Sequence, residues 1–196
     1  MSITLSHDAD CVEAQIFDYF GGRSEESSGD AGARTWLRNA HWTVLDDMPN
    51  SRDFVLNEHR LLLAYWHSLP RRGGLRIAEH LDARALGPIM GSLAVLEAED
   101  QGEDFRYRLS GSRIARVLGL ELTDRRVSDL DSPAVPWLLE QYRTVIARCR
   151  PVYAEHDSAY ATAMPTRWSR LLLPVADRNG GDRRVLASVV PIRRRH

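Results

Sequence analysis

Residues 105–130 read FRYRLSGSRIARVLGLELTDRRVSDL, and the fold turns on how this stretch is read. Phe105, Tyr107 and Leu109 alternate with Arg106 and Arg108, the period of two of a half-buried antiparallel strand. Gly111 ends the strand. Ser112 is placed to cap a short helix carrying Ile114, Val117 and Leu118, and Gly119 to close it in the left-handed conformation that glycine adopts freely. Polar turns follow, and no catalytic motif lies on the way.

Working toward the N-terminus, SLAVLEAE (92–99) supplies the partner strand, with Leu93 and Val95 on one face and Ala94 and Leu96 on the other. DQGED is the turn between them. Before it, RRGGLRIAEHLDARALGPIMG has turn glycines at 73–74 and a short helix starting from an Asp82 cap. NEHRLLLAYWHSLP is a helix with Asn57 as N-cap and Pro70 as stop. Its apolar stripe is Leu62, Tyr65, Trp66 and Leu69, widened by Leu61 and Leu63. A stripe of that width on a leading helix is expected to bury itself against a second copy or another partner.

Toward the C-terminus, Pro133 suits a first helical turn, and Leu138, Tyr142, Val145, Ile146 and Cys149 mark an apolar face. Three strands are expected next: PVYAEHDS, TRWSRLLLPVAD and RRVLASVVPI. RNGG joins the last two, and Asn-Gly is a strong hairpin signal. The fold class is therefore α+β: a five-stranded antiparallel sheet with short helices and one longer helix on one face.

Residues 1–56 read as an N-terminal extension. ADCVEAQIFDYF forms a short amphipathic helix and GGRSEESSGDAGA a flexible linker. Trp36 and Trp42 are expected to pack on the domain or on a partner. The domain spans 57–192, and 193–196 is a basic tail, read as solvated rather than as a patch for an anionic partner.

Of 196 residues, all 26 basic ones are Arg, and 27 acidic ones match them closely along the chain. Arg without Lys reads as a GC-rich genome, and the balanced charge disfavours nucleic acid as a partner. Cys11 and Cys149 form no CxxC motif. Cys149 is expected as a small buried side chain. No apolar run is long enough to span a membrane, and MSITLSHDADCVEAQ lacks the basic start and apolar core of a signal peptide, so the expected location is the cytoplasm.

In element order and residues, the chain resembles the PAS fold, a ligand-sensing and protein-docking domain. More narrowly it is similar to a bacterial subgroup of small stand-alone PAS proteins. The resemblance rests on YWHSLPRRGG, on the run from Phe105 to Leu130 and on TRWSRLLLPVADRNGG, and it covers roughly residues 57–192. The chain departs from that pattern at Asp124, where the subgroup often has Gly, and RIAEHLDARALG lacks the subgroup's Pro-rich form. The likeness implies that the strand-to-helix passage forms a pocket wall over a concave sheet, and that such a pocket holds haem, flavin, a small acid or nothing. It also implies a stand-alone signalling domain. With no kinase, cyclase or helix-turn-helix segment in the sequence, the signal is expected to leave by contact with another protein.

Each apolar candidate is read first as core and second as pocket wall. The wall residues expected are Phe105, Tyr107 and Leu109 on the sheet, Leu118, Trp137 and Tyr142 on helices, and Tyr153 and Leu172 on later strands. No cofactor is expected. Haem would need an axial His on the long helix, which has none, and Cys149 in ARCRPV sits at the wrong end of that helix for flavin photochemistry. His80 and His156 are expected at the surface. AEHLDA and AEHDSA set Glu79 beside His80 and Glu155 beside His156, but neither is HExxH, and strand neighbours point apart, so no catalytic residue and no metal are expected. GxSxG, GxxxxGK[ST] and GxGxxG are all missing from the sequence. The alternatives are a small isomerase or dehydratase on a similar α+β cone, whose mark would be His156 or Asp157 buried against a cavity, and a structural adaptor with a filled core.

Overall fold

A computed structural model describes residues 38–192, apart from Asp47, Gly73, residues 159–165, Gly180 and Asp182. Cys11, Trp36, the amphipathic segment and linker before them, and the basic tail lie outside the described residues.

Apolar side chains at successive positions of 171–176 and 185–190 point to both sides, so the sheet has both faces covered. The elements are β1 (Arg38–Val44), α1 (Asn57–Ser68), β2 (Arg71–Arg72), β3 (Leu75–Ile77), α2 (Ala83–Leu86), β4 (Leu93–Glu99), β5 (Asp104–Ser110), α3 (Ser112–Leu118), α4 (Val135–Arg148), β6 (Val152–Ser158), β7 (Thr166–Ala176) and β8 (Arg183–Ile192). The sheet runs β1-β6-β7-β8-β4-β5 with every neighbour antiparallel, and β3 adds a short parallel pairing to β7. The five strands read from the sequence form the open antiparallel sheet of an α+β fold. Outside them β1 extends the β6 edge and Trp42 packs into the core, so residues 38–44 of the expected N-terminal extension belong to the sheet.

On β7, Leu171, Leu173 and Val175 face α1, while Leu172 faces α4. Paired residues of an antiparallel sheet share a side, so Val152–Leu172–Ala187 lie under α4 and Tyr153–Leu171–Ser188 under α1. The α1 stripe is thereby corrected. Leu62, Leu63 and Trp66 are buried against the chain's own sheet, Tyr65 and Leu69 are partly buried beside them, and Trp66 Nε1 donates to the Pro174 carbonyl at 2.8 Å. A stripe this wide is used up by a sheet face, which the sequence alone could not match to it. Asn57 begins α1 rather than capping it. Arg76 finishes it, donating to the carbonyls of His67 and Leu69, both at 2.9 Å, with its guanidinium over the Trp66 ring.

The register of β4 and β5 shifts between Val95 and Leu96: Val95 pairs with Leu109, but Leu96 pairs with Tyr107. This bulge moves Leu109 to the α1 face, away from Tyr107 and Phe105. At the end of β5, a Cβ on Gly111 would stand 2.4 Å from the carbonyl oxygens of both Met90 and Gly91. Only glycine permits that approach. The α3 helix then starts without a side-chain cap from Ser112 and closes on Gly119 at φ +67. Asp124 also takes a left-handed conformation, φ +65, with its N–H on the Tyr107 carbonyl at 2.7 Å. That backbone accounts for glycine in the resembling sequences, and Asp is among the residues that tolerate it.

The α2 helix starts from its Asp82 cap, whose carboxylate accepts from the N–H groups of Arg84 and Ala85. The α4 helix begins at Val135 with Pro136, not Pro133, in its first turn, and buries Leu138, Gln141, Tyr142, Val145 and Ile146. Cys149, expected on that buried face, instead follows the last turn at φ +50 and is half-buried. Among the described residues no helix is long and apolar enough to cross a membrane.

Candidate functional site

The α4 side of the sheet is not completely filled. A cavity of about 180 Å³ lies between the sheet, α3, α4 and the segment joining those helices. The sheet contributes Ala94, Tyr107, His156, Trp168, Arg170 and Val189. Ile114 and Leu118 come from α3, Leu138 and Tyr142 from α4, and Leu120, Leu122 and Leu130–Ser132 from the joining segment. Leu120 and Asp131 are exposed and mark its mouth.

Polar groups converge at one wall. Arg170 lies on β7 with only 2% of its surface exposed. Its Nη1 donates to Gln141 Oε1 at 3.2 Å, and its Nη2 donates to the Tyr142 hydroxyl. Gln141 is fixed in turn, its Nε2 donating to the Trp137 carbonyl one turn back at 2.7 Å. The Tyr142 and Tyr107 hydroxyls stand 3.2 Å apart. His156 sits on β6 opposite Trp168, under the Trp137 ring at 4.8 Å between centroids. Burial, helped by the Arg170 charge and opposed by Asp157, pulls its pKa from 6.5 to about 3. The ring is therefore neutral, and its buried Nδ1 has no hydrogen-bond partner among the described residues.

Of the residues expected as pocket wall, Tyr107, Leu118 and Tyr142 line the cavity. Phe105 and Leu172 are fully buried beside it, and Trp137 backs His156. Leu109 and Tyr153 are corrections. The bulge turns Leu109 away, and Tyr153 points to the α1 face because its strand neighbours Val152 and Ala154 point to the other. There Tyr153 donates to Glu155 and stands 3.0 Å from the Ser169 hydroxyl. Burial and that carboxylate push its pKa up to about 12. His156, expected at the surface, is only 7% exposed; His80 is at the surface.

Arg170 and Trp168 have no role in the sequence reading, and His156 enters it only as a surface histidine and as the mark of the enzyme alternative. A signal was present in TRWSRLLL: Arg170 occurs two residues from both Trp168 and Leu172, so it shares their inward side. The Glu-His pairs do not gather. Glu79 pairs with Arg178 at 2.6 Å, and Glu155 lies on the α1 face, held by Arg167. Asp157 is buried too, but on that same side, 3.2 Å from Arg167.

In comparison with known proteins, a family model described as "PAS domain" matches residues 56–190, well over half of the chain. No curated protein matches it.

Proposed function

This chain belongs to the PAS domain family, a family of signalling and sensory domains, and from that premise we propose that it senses a small molecule held in the cavity under α4. The observation that carries the reading is the cavity itself: about 180 Å³ of space with apolar walls and a few convergent polar groups. That combination is the usual form of a small-molecule site. An occupant would touch the sheet, α3 and α4 together, and would favour whichever packing of these elements fits it best. The change leaves the domain by contact with another protein, either a second copy or a separate signalling partner. A structural adaptor would instead have a filled core. Haem and flavin stand outside the proposal, because a cavity of this order holds something nearer a single benzene ring in size.

The test is a fragment screen by ligand-observed NMR on the full chain and on Val189→Phe, which fills the space from the sheet side. Fragments are expected to bind the wild type and to lose at least about tenfold in affinity for the variant. Equal binding to both, or no binding to the wild type, overturns the reading.

A second reading, a small isomerase or dehydratase, has one observation in its favour: His156 is buried and faces the cavity. A base held near pKa 3 is a weak one, however, since general bases work best near the operating pH. His156 fits better as a neutral hydrogen-bond donor than as a proton acceptor.

A further inference from the structure

Arg170 is the most unusual residue of the cavity. A guanidinium stays protonated in proteins, and a buried cation is normally matched by a carboxylate. On the other face Arg167 follows that rule, holding both Glu155 and Asp157, while Arg76 spends its donors on carbonyls at the end of α1 and lies over the Trp66 ring. Arg170 is more deeply buried than Arg167, yet its hydrogen-bond partners among the described residues are two neutral oxygens, on Gln141 and Tyr142. One positive charge thus stands in the chamber with no carboxylate hydrogen-bonded to it among the described residues; the one carboxylate of the lining, Asp131, lies at the solvent-exposed mouth.

A second group in the same chamber points the same way. His156 opposes Trp168 across the β6–β7 pair, and Arg170 opposes Ala154. The two are therefore diagonal neighbours on one side of the sheet, with roughly 7–8 Å between their positions. The buried Nδ1 of His156 lacks a partner, and the neutral ring can donate one N–H. A carboxylate lying between them satisfies both groups.

We propose that the cavity is a site for a small organic monoanion, a carboxylate on an apolar body, received by Arg170 and His156; this rests on the reading of the cavity as a ligand site. One guanidinium and one neutral imidazole supply a single positive charge, which suits a monoanion better than a phosphate dianion. Ile114, Leu118, Leu122 and Leu138 receive the apolar body. An apolar cavity of about 150 Å³ is enough for benzene, so about 180 Å³ admits one ring or a short alkyl chain with its carboxylate.

The test titrates benzoate, phenylacetate and hexanoate, each against its uncharged amide, with the full chain and with Arg170→Met and Arg170→Gln. In the wild type at least one carboxylate is expected to bind roughly tenfold to hundredfold more tightly than its amide, the range of a charge-assisted hydrogen bond. Both variants lose that preference. Without ligand, Arg170→Met is expected to melt at or above the wild-type temperature, because it removes an unmatched buried charge. Amides binding as tightly as carboxylates would overturn the anion inference while leaving a ligand cavity in place. Binding of carboxylates to Arg170→Met at wild-type strength would overturn it too. The wild-type comparison needs no variant, so a misfolded substitution does not protect the idea. If neither carboxylates, amides nor indole as an uncharged apolar probe binds, the cavity reading fails with it.

Discussion

The two faces of the sheet each bury a histidine, and the pair shows what separates a finished core from a site. Under α1, His59 is 1% exposed, with Nδ1 3.0 Å from the Ser188 hydroxyl and Nε2 2.8 Å from that of Ser169. Phe54 and Tyr153 close around its ring at 6.0 and 5.9 Å between centroids. Every polar atom of that imidazole has a partner. Under α4, His156 is nearly as buried, but its Nδ1 is unmatched and an open cavity lies beside it. Fully satisfied polar groups fix one arrangement, whereas an unmatched buried group needs a reason, which the neighbouring cavity supplies for His156. The same contrast separates Arg167, held by two carboxylates, from Arg170, held by none among the described residues.

The comparison breaks most readily by truncating one leucine on each side. Leu171→Ala, on the filled α1 face, is expected to lose about 2–5 kcal/mol in chemical denaturation. Leu138→Ala, on the cavity wall, should lose clearly less, because its side chain already lacks contacts on one side. Equal losses would mean that the cavity is closed in solution.

Acid sharpens the contrast next. Burial carries His59 from 6.5 to about 4, against the pull of Glu58 and Glu155, so the fold holds it neutral. A depressed pKa stabilises the fold above the unfolded value of 6.5, and the stabilisation is lost as pH falls through the folded one. Between pH 6.5 and 4 the wild type is expected to give up about 3 kcal/mol through this group. His59→Gln should flatten that part of the stability profile. His156 contributes in the same direction, with its loss extending to lower pH.

Smaller still is the difference between the two histidines at neutral pH. His59→Ala strands two buried serine hydroxyls and is expected to cost about 2–3 kcal/mol. His156→Ala removes an unmatched group beside a cavity, and about 1 kcal/mol or less is expected. A larger loss for His156→Ala in thermal or urea unfolding would make it a core residue and take away the second donor of the proposed site.

Much of the fold was legible. Alternation in 92–99 and 105–109, the strand-like segments after the long helix and the Asn-Gly turn showed the sheet, and Gly119 showed the end of α3. Three features escaped for definite reasons. The bulge at Val95/Leu96 is a property of two strands together, so no pattern within β5 shows that Leu109 turns away. Strand β1 depends on an edge that β6 offers only once the sheet has formed. The α1 stripe looked like a dimer contact because its width is visible in sequence, whereas the sheet face that covers it comes from strands far along the chain. Of the cavity, the aromatic residues Tyr107 and Tyr142 were found by type. Arg170 was not, and His156 was expected at the surface, because charged and polar residues are ordinarily solvent-facing.

Local periodicity, turn glycines and the family likeness were written in the sequence by itself, because they depend on neighbours a few residues apart. The tertiary structure alone decided which polar side chains were left unmatched. Whether a buried guanidinium is neutralised depends on which strand lies beside it and which helix covers it, and the chain settles that only when the sheet closes over α4.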